Sequence, residues 1–191
     1  MNVPYITAEY SRLLRCVLPS YSGETCLEIG AGNGGGLMEL SRNFRMVVGT
    51  DIVRPTMDDW TASGVSYVMA DLAACFQSRS FDLVVFNPPY IGTETVQDVA
   101  TDGGEEMAVP FSFLAEAIRV VKAEGRIVML LNGEIPFSRL QFVCKIRGFG
   151  IRKLAEERLF YEELTVYEVA HETMGGRAQS DGELQASPGT S

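Results

Sequence analysis

The sequence predicts an α/β fold: a mostly parallel sheet, covered on both faces by helices and finished by antiparallel strands. Three observations carry that expectation. Short apolar runs alternate with amphipathic segments of helix length, a glycine-rich turn follows the first run, and after Gly150 two strand-like stretches follow each other with no helix between them.

The strands are expected at residues 25–30, 46–51, 65–70, 81–86 and 126–132. Several are continuous apolar runs, as strands buried on both faces require. Residues 8–18 carry Leu13, Leu14, Val17 and Leu18 on one helical face, and Pro55 suits the first turn of a helix that Gly64 ends. Phe113, Leu114, Ala117, Ile118 and Val121 form another apolar stripe, closed by Gly125, while Pro136 opens a helix that Gly148 stops. Residues 151–159 and 163–170 read as the antiparallel pair. Together these make a seven-stranded sheet, with the stripes forming its core.

The chain has 191 residues, enough for one large core, and is assigned as a single domain over 1–172 with a small, polar, Gly/Ser-rich tail at 173–191. Its net charge of −9 disfavours binding to bare duplex nucleic acid or an anionic membrane. No apolar run approaches the roughly 18 residues that cross a bilayer. The amino terminus carries no secretory pattern, so cytoplasm or nucleus is the expected compartment. Cys16, Cys26, Cys75 and Cys144 are scattered through apolar stretches and are expected to be buried, reduced thiols, not metal ligands.

Leu27-Glu28-Ile29-Gly30-Ala31-Gly32-Asn33-Gly34-Gly35-Gly36 bridges the first strand and the helix starting near Leu37. Such glycines let backbone approach a ligand at the carboxyl end of a strand. The stretch satisfies two templates. Gly30-x-Gly32-x-x-Gly35 is the dinucleotide pattern, and Glu28-x-Gly30-x-Gly32-x-Gly34 is the pattern of S-adenosylmethionine (SAM) enzymes.

Asp51, ending the second strand beside Ile52, can accept both ribose hydroxyls of either cofactor. Asp71, ending the third strand beside Leu72, suits an adenine amino group, with the following backbone N–H meeting a ring nitrogen. Acidic residues on three successive strands favour SAM, because Glu28 would repel a pyrophosphate but attract a cationic amino acid.

Strand four ends in Asn87-Pro88-Pro89-Tyr90. Each proline fixes its own φ and disfavours helix in the residue before it, so Asn87 and Pro88 are held extended and stiff. The Asn87 side-chain carbonyl and the Pro88 backbone carbonyl can accept both hydrogens of a planar NH₂ group, and Tyr90 can stack on its plane. An amide or exocyclic amine is a poor nucleophile because its lone pair is delocalised. Two acceptors orient it and raise electron density on nitrogen, so methyl transfer can proceed chiefly through positioning.

Asn87-Pro88-Pro89-Tyr90, with Glu28-Ile29-Gly30-Ala31-Gly32-Asn33-Gly34 and Asp51, resembles the amino-group methyltransferases, in particular the small eukaryotic and archaeal HemK-like glutamine methyltransferases. The similarity spans most of residues 3–170, including Gly103-Gly104 and Glu162-Glu163-Leu164-Thr165-Val166. It implies the class I SAM-dependent methyltransferase (Rossmann-like) fold and N5-methylation of the glutamine in the Gly-Gly-Gln loop of the class-1 translation termination factor. Members begin with Tyr-x-Pro-x-Glu-Asp-Thr over SAM. Here Tyr5-Ile6-Thr7-Ala8-Glu9-Tyr10-Ser11 keeps the Tyr and Glu but has Thr7, Tyr10 and Ser11 where Pro, Asp and Thr are expected; the resemblance implies Tyr5 and Thr7 as contacts.

By the same resemblance, SAM lies along Tyr5, Thr7, Glu28, Gly30, Ala31, Gly32, Gly34, Asp51, Ile52, Asp71, Leu72 and Asn87, with Asn87, Pro88, Pro89 and Tyr90 as the catalytic group. The resemblance also implies a heterodimer with a small zinc-binding activator that adds a strand beside Val65–Met69. An unpaired apolar edge there is compatible with such a partner. The zinc would belong to the partner, since the scattered cysteines and lone His171 form no site.

Three rival readings remain: methylation of an exocyclic amine of a DNA or RNA base, an NAD-dependent oxidoreductase, and a catalytically silent methyltransferase-like scaffold. The same Asn-Pro-Pro-Tyr motif serves the first, against which the acidic charge and the lack of a basic arm argue. Tight NADH binding would mark the second, and biological activity indifferent to Asn87 the third.

Overall fold

In a computed structural model, residues 12–32, 34–53, 64–89, 108–133, 135–159 and 162–172 are described. A helical stretch at 12–17 tightens into a 3-10 turn at Leu18–Ser20. There follow β1 (Gly23–Ile29), α1 (Gly35–Leu40), β2 (Phe44–Asp51), β3 (Val65–Met69), β4 (Phe81–Phe86), α2 (Ala108–Val120), β5 (Val121–Asn132), α3 (Phe137–Ile146), β6 (Phe149–Arg158) and β7 (Glu163–His171).

The seven strands form one sheet in the order β3-β2-β1-β4-β5-β7-β6. From β3 through β5 all neighbours run parallel, and β7 alone opposes its neighbours, inserted between β5 and β6. The chain leaves β1 in one direction along the sheet, and from β4 it proceeds in the other. Because crossover connections are right-handed, that reversal sends α1 and α2 to opposite faces of the sheet. The core lies between. Leu27, Ile29, Val84, Phe86, Ile127 and Met129 are fully buried at the centre of the sheet, where they meet Leu37 of α1 and Leu114 of α2.

The strand assignments hold within a residue or two at most ends, and β5 differs. The reading placed Val121 in a helix closed by Gly125; instead α2 stops at Val120 and β5 begins at once. Gly125 sits where β5 passes a register shift between Phe81 and Leu83, and a Cβ there would lie 2.9 Å from the Asp82 carbonyl oxygen and 3.0 Å from that of Phe81. The glycine is thus demanded by a bulge inside a strand. The cysteine expectation is half corrected. Cys26 and Cys144 are buried, whereas Cys16 and Cys75 are exposed. The helix expected from Pro55, the Gly103-Gly104 stretch and the tail at 173–191 lie outside the described residues.

Two polar clusters fasten the rim of the sheet. At its amino end, Asp82 accepts from the Thr25 N–H, the Thr25 hydroxyl and Lys122 at 2.8 to 2.9 Å. Near the end of the helical stretch, Tyr21 donates to Glu168 of β7 at 2.5 Å, and Arg152 of β6 donates to the other oxygen at 2.7 Å. Among the described residues, no helix is long and apolar enough to cross a membrane, and no cluster of His, Cys, Asp and Glu could hold a metal.

Candidate functional site

The order reversal between β1 and β4 makes the carboxyl ends of those strands a topological switch point, the place where open α/β sheets bind ligands. The glycine loop leaves β1 there and Asn87 leaves β4 there.

The glycine loop is built by its backbone. Gly30 and Ala31 donate their N–H groups to the Thr50 carbonyl at 2.8 and 2.9 Å, and Gly34 donates to the Ala31 carbonyl at 2.7 Å. Gly30, Gly32 and Gly34 all adopt left-handed φ, of 71°, 50° and 74°, which side chains disfavour. The left-handed positions follow the 30/32/34 spacing, while Gly35 begins α1 as an ordinary helical residue. Of the two sequence templates, the geometry matches the one that starts at Glu28.

Asp51 is already fixed. Its Oδ2 accepts from the Gly32 N–H at 2.8 Å and its Oδ1 from the Val53 N–H at 3.0 Å. A carboxylate oxygen has lone pairs beyond one bond, so both oxygens keep capacity for a diol. Ile52 is exposed beside it.

Glu28 is buried at the end of β1 against the start of α1. The close approach depends on Gly36, where a Cβ would stand 2.6 Å from Glu28 Oε1. Burial pushes the carboxyl up to about 8, against the pull of the Leu37 N–H and Arg15; Asp51 adds to the rise. Its Oε2 has no hydrogen-bond partner. A buried, unpaired acceptor of this kind is costly unless a ligand completes it, and a cationic ammonium would do so and return the carboxyl to its ionised state.

Asn87 follows β4, and its Oδ1 is likewise buried without a partner. Pro88 behind it is buried and Pro89 half-buried, so the prolines anchor the segment while the Asn87 carbonyl remains unused. Asp71 is exposed and Leu72 half-buried after β3, and both line a cavity of about 450 Å³ with Ala74, Glu116 and Arg119. Tyr5, Thr7 and Tyr90 lie outside the described residues.

The structure therefore sets Glu28, the glycine loop, Asp51 and Asn87 around one end of the sheet, with Asp71 and Leu72 at the end of the neighbouring β3. It also shows what the sequence reading passed over. Asn132 at the carboxyl end of β5 and Thr50 at that of β2 each hold a buried, unpartnered side-chain oxygen. Their only signal in the sequence was a polar residue closing an apolar run.

Residues 27–129, more than half the chain, match the protein family described as "Methyltransferase domain". No curated protein matches. Among solved structures, the E. cuniculi Mtq2-Trm112 complex, described as responsible for the methylation of the eRF1 translation termination factor, is similar with a TM-score of 0.66 at 21% identity. That match covers 86% of this chain and 94% of the other.

The T. thermophilus 16S rRNA N2 methyltransferase RsmC, in complex with AdoMet and guanosine, is similar with a TM-score of 0.62 at 20% identity, over 90% of this chain and 44% of the other. The Burkholderia thailandensis 1,6-didemethyltoxoflavin-N1-methyltransferase, with bound S-adenosylhomocysteine, gives 0.60 at 14% identity, over 88% and 82%. At these identities the similarity is one of fold.

Proposed function

The chain belongs to the methyltransferase-domain family, and from that premise we propose that it methylates the side-chain amide of the glutamine in the Gly-Gly-Gln motif of a class-1 translation termination factor. S-adenosyl-L-methionine is the cofactor, as the family and the AdoMet- and S-adenosylhomocysteine-bound neighbours support. It supplies an electrophilic methyl group on a positively charged sulfur.

The residues present fit that group. Glu28 offers a buried, unpaired oxygen to the amino acid's ammonium, Asp51 offers two anchored oxygens to the ribose, and the left-handed glycine loop leaves open space over Gly32.

The observation that carries the amide reading is the buried Asn87 Oδ1 with no partner. An acceptor desolvated in this way is costly to the folded chain and pre-aimed for a donor that arrives with the substrate. A glutamine amide brings two N–H donors, and the Pro88 carbonyl is the second acceptor beside Asn87. Holding both hydrogens turns the nitrogen's face toward the methyl group. The same bonds favour the positive charge that builds on nitrogen until its proton passes to solvent. Neither role requires a strong base.

Similarity to the Mtq2-Trm112 complex supports both the termination-factor substrate and a small partner subunit. The partner's expected seat is β3, which ends the sheet order. Its Met69 is 62% exposed, and Ile52 and Val53 beside the same corner are 50% and 61% exposed. In this reading the partner is the small zinc-binding activator, and it covers that apolar corner.

The deciding experiment is transfer of labelled methyl from SAM by the chain co-expressed with the small activator. The acceptors are the termination factor, its Gly-Gly-Ala variant and an RNA pool. Label that requires the glutamine is expected. Label in RNA but not in the termination factor would move the reaction to an exocyclic base amine, the chemistry of the similar rRNA enzyme. SAM binding with no acceptor at all would leave the scaffold reading.

A further inference from the structure

The connection from β3 to β4 carries the residues expected to meet adenine, and it hangs from one side chain of α2. The Arg119 guanidinium donates to the Ala73 carbonyl at 2.8 Å and to the Phe76 carbonyl at 2.9 Å. Its remaining bonds, at 2.8 and 2.7 Å, hold both oxygens of Glu116. The backbone joins in, since Arg79 N–H donates to the Arg119 carbonyl and Ser80 N–H to that of Val120.

This connection also contains Leu72 and Arg79, the non-glycine residues among those described that have positive φ, at 48° and 58°. Side-chain-bearing residues rarely adopt that region, and they persist in it only where the surroundings hold them. A tight turn from the Ala74 N–H to the Asp71 carbonyl runs through Leu72, and a second follows it from the Phe76 N–H to the Ala73 carbonyl. Arg119 grips the second turn at both its carbonyls, one residue beyond Leu72. The backbone that carries Asp71 and Leu72 thus runs directly into a turn held by a fork planted on another element. The guanidinium's bonds among the described residues go to the two carbonyls and to Glu116, which lines the same cavity as Asp71.

We propose that Arg119, held by Glu116, is a positioning residue for the adenine end of the cofactor site and acts through the turn at residues 71–76. The proposal rests on the reading that places the adenine amine beside Asp71. Lysine cannot replace the residue, because a single ammonium cannot span two carbonyls and a carboxylate in fixed planar geometry.

The test compares equilibrium binding of SAM with that of its inosine counterpart, in which a carbonyl replaces the exocyclic amine. It uses the full chain as wild type, Arg119→Lys and Glu116→Gln, with melting temperature and steady-state kinetics alongside. Wild type should prefer SAM. Arg119→Lys should weaken SAM by roughly tenfold, the scale of one charge-assisted hydrogen bond. It should leave the inosine analogue within about twofold and kcat at saturating SAM unchanged, so that KM alone rises. Glu116→Gln should act in the same direction and more weakly, and it keeps the test open if Arg119→Lys folds poorly.

Equal weakening of both ligands, or weakening of neither with only a lower melting temperature, would show a merely structural clamp and overturn the proposal. A wild type that binds both ligands alike would instead overturn the placement of adenine at Asp71, and the proposal would fall with it.

Discussion

The Gly32 N–H donates to Asp51 Oδ2 at 2.8 Å, so the loop after β1 and the acidic end of β2 form one unit before any ligand arrives. Removing the carboxylate loses the proposed ribose acceptors and the Gly32 bond together, while the Thr50 carbonyl still holds Gly30 and Ala31. Asp51→Ala should weaken SAM by roughly 10- to 100-fold, the scale of one or two charge-assisted hydrogen bonds, with little change in kcat once SAM saturates. Calorimetric titration beside initial rates checks this. A kcat that fell as far as the affinity would show that Asp51 serves the transfer and not the binding.

Asn87 should show the opposite division. Its side-chain oxygen has no hydrogen-bond partner in the folded chain, so under the proposed function Asn87→Ala chiefly removes the bond to the acceptor amide. Turnover on the Gly-Gly-Gln substrate should fall roughly 100- to 1,000-fold, as when one donor or acceptor is taken from a charge-stabilising site. The SAM dissociation constant should stay within about threefold, and the fold should not lose stability. An equal loss of SAM affinity would sink the separation of roles.

Glu28 ties stability and binding to pH. Burial lifts its carboxyl to about 8 in the folded chain, against an ordinary 4.5, so the unfolded chain gives up this proton first. Glu28's contribution is therefore fully present below about pH 4.5, and it is lost as pH rises through about 8. Melting temperature of the ligand-free chain should decline across that window, and Glu28→Gln should flatten the decline. A cationic ligand needs the ionised form, so SAM binding near neutrality should release a proton. Calorimetry in buffers of different ionisation enthalpy reads this directly, and a binding enthalpy independent of buffer would contradict it.

The parallel strands were legible because both faces of this sheet are buried, which leaves continuous apolar runs such as Leu83–Phe86 with few competing explanations. The loop glycines, Asp51 and Asn87 were legible for a related reason. They break the apolar pattern at strand ends, where a polar or glycine residue stands out against the buried run before it. Gly125 misled because a glycine after an apolar stripe looks the same whether it stops a helix or admits a bulge. What separates the two is the approach of the Phe81 and Asp82 carbonyls, some 40 residues away in sequence. Arg119 was invisible for the same reason: it lies inside a helix that reads as core, and its partners are backbone carbonyls, which carry no sequence signature.

Among the described residues β3 ends the sheet order, and this gives a prediction about assembly. In a parallel pair, alternate residues turn their N–H groups toward the same neighbour, and Ala70 donates to the Asp51 carbonyl of β2. Val68 and Ser66 therefore face β2 as well, while the Met69 N–H turns to the opposite side. Met69→Pro deletes one outward donor without breaking the ladder to β2, as proline is tolerated on an edge strand. If the small activator adds a strand here, this substitution should weaken the heterodimer by roughly tenfold, about the worth of one hydrogen bond and the packing it aligns. SAM binding by the purified chain should be unchanged. Met69→Glu should act similarly by placing a charge in the exposed apolar corner with Ile52 and Val53. Undiminished co-purification of both variants with the activator would move the interface away from β3, whatever the methyl acceptor proves to be.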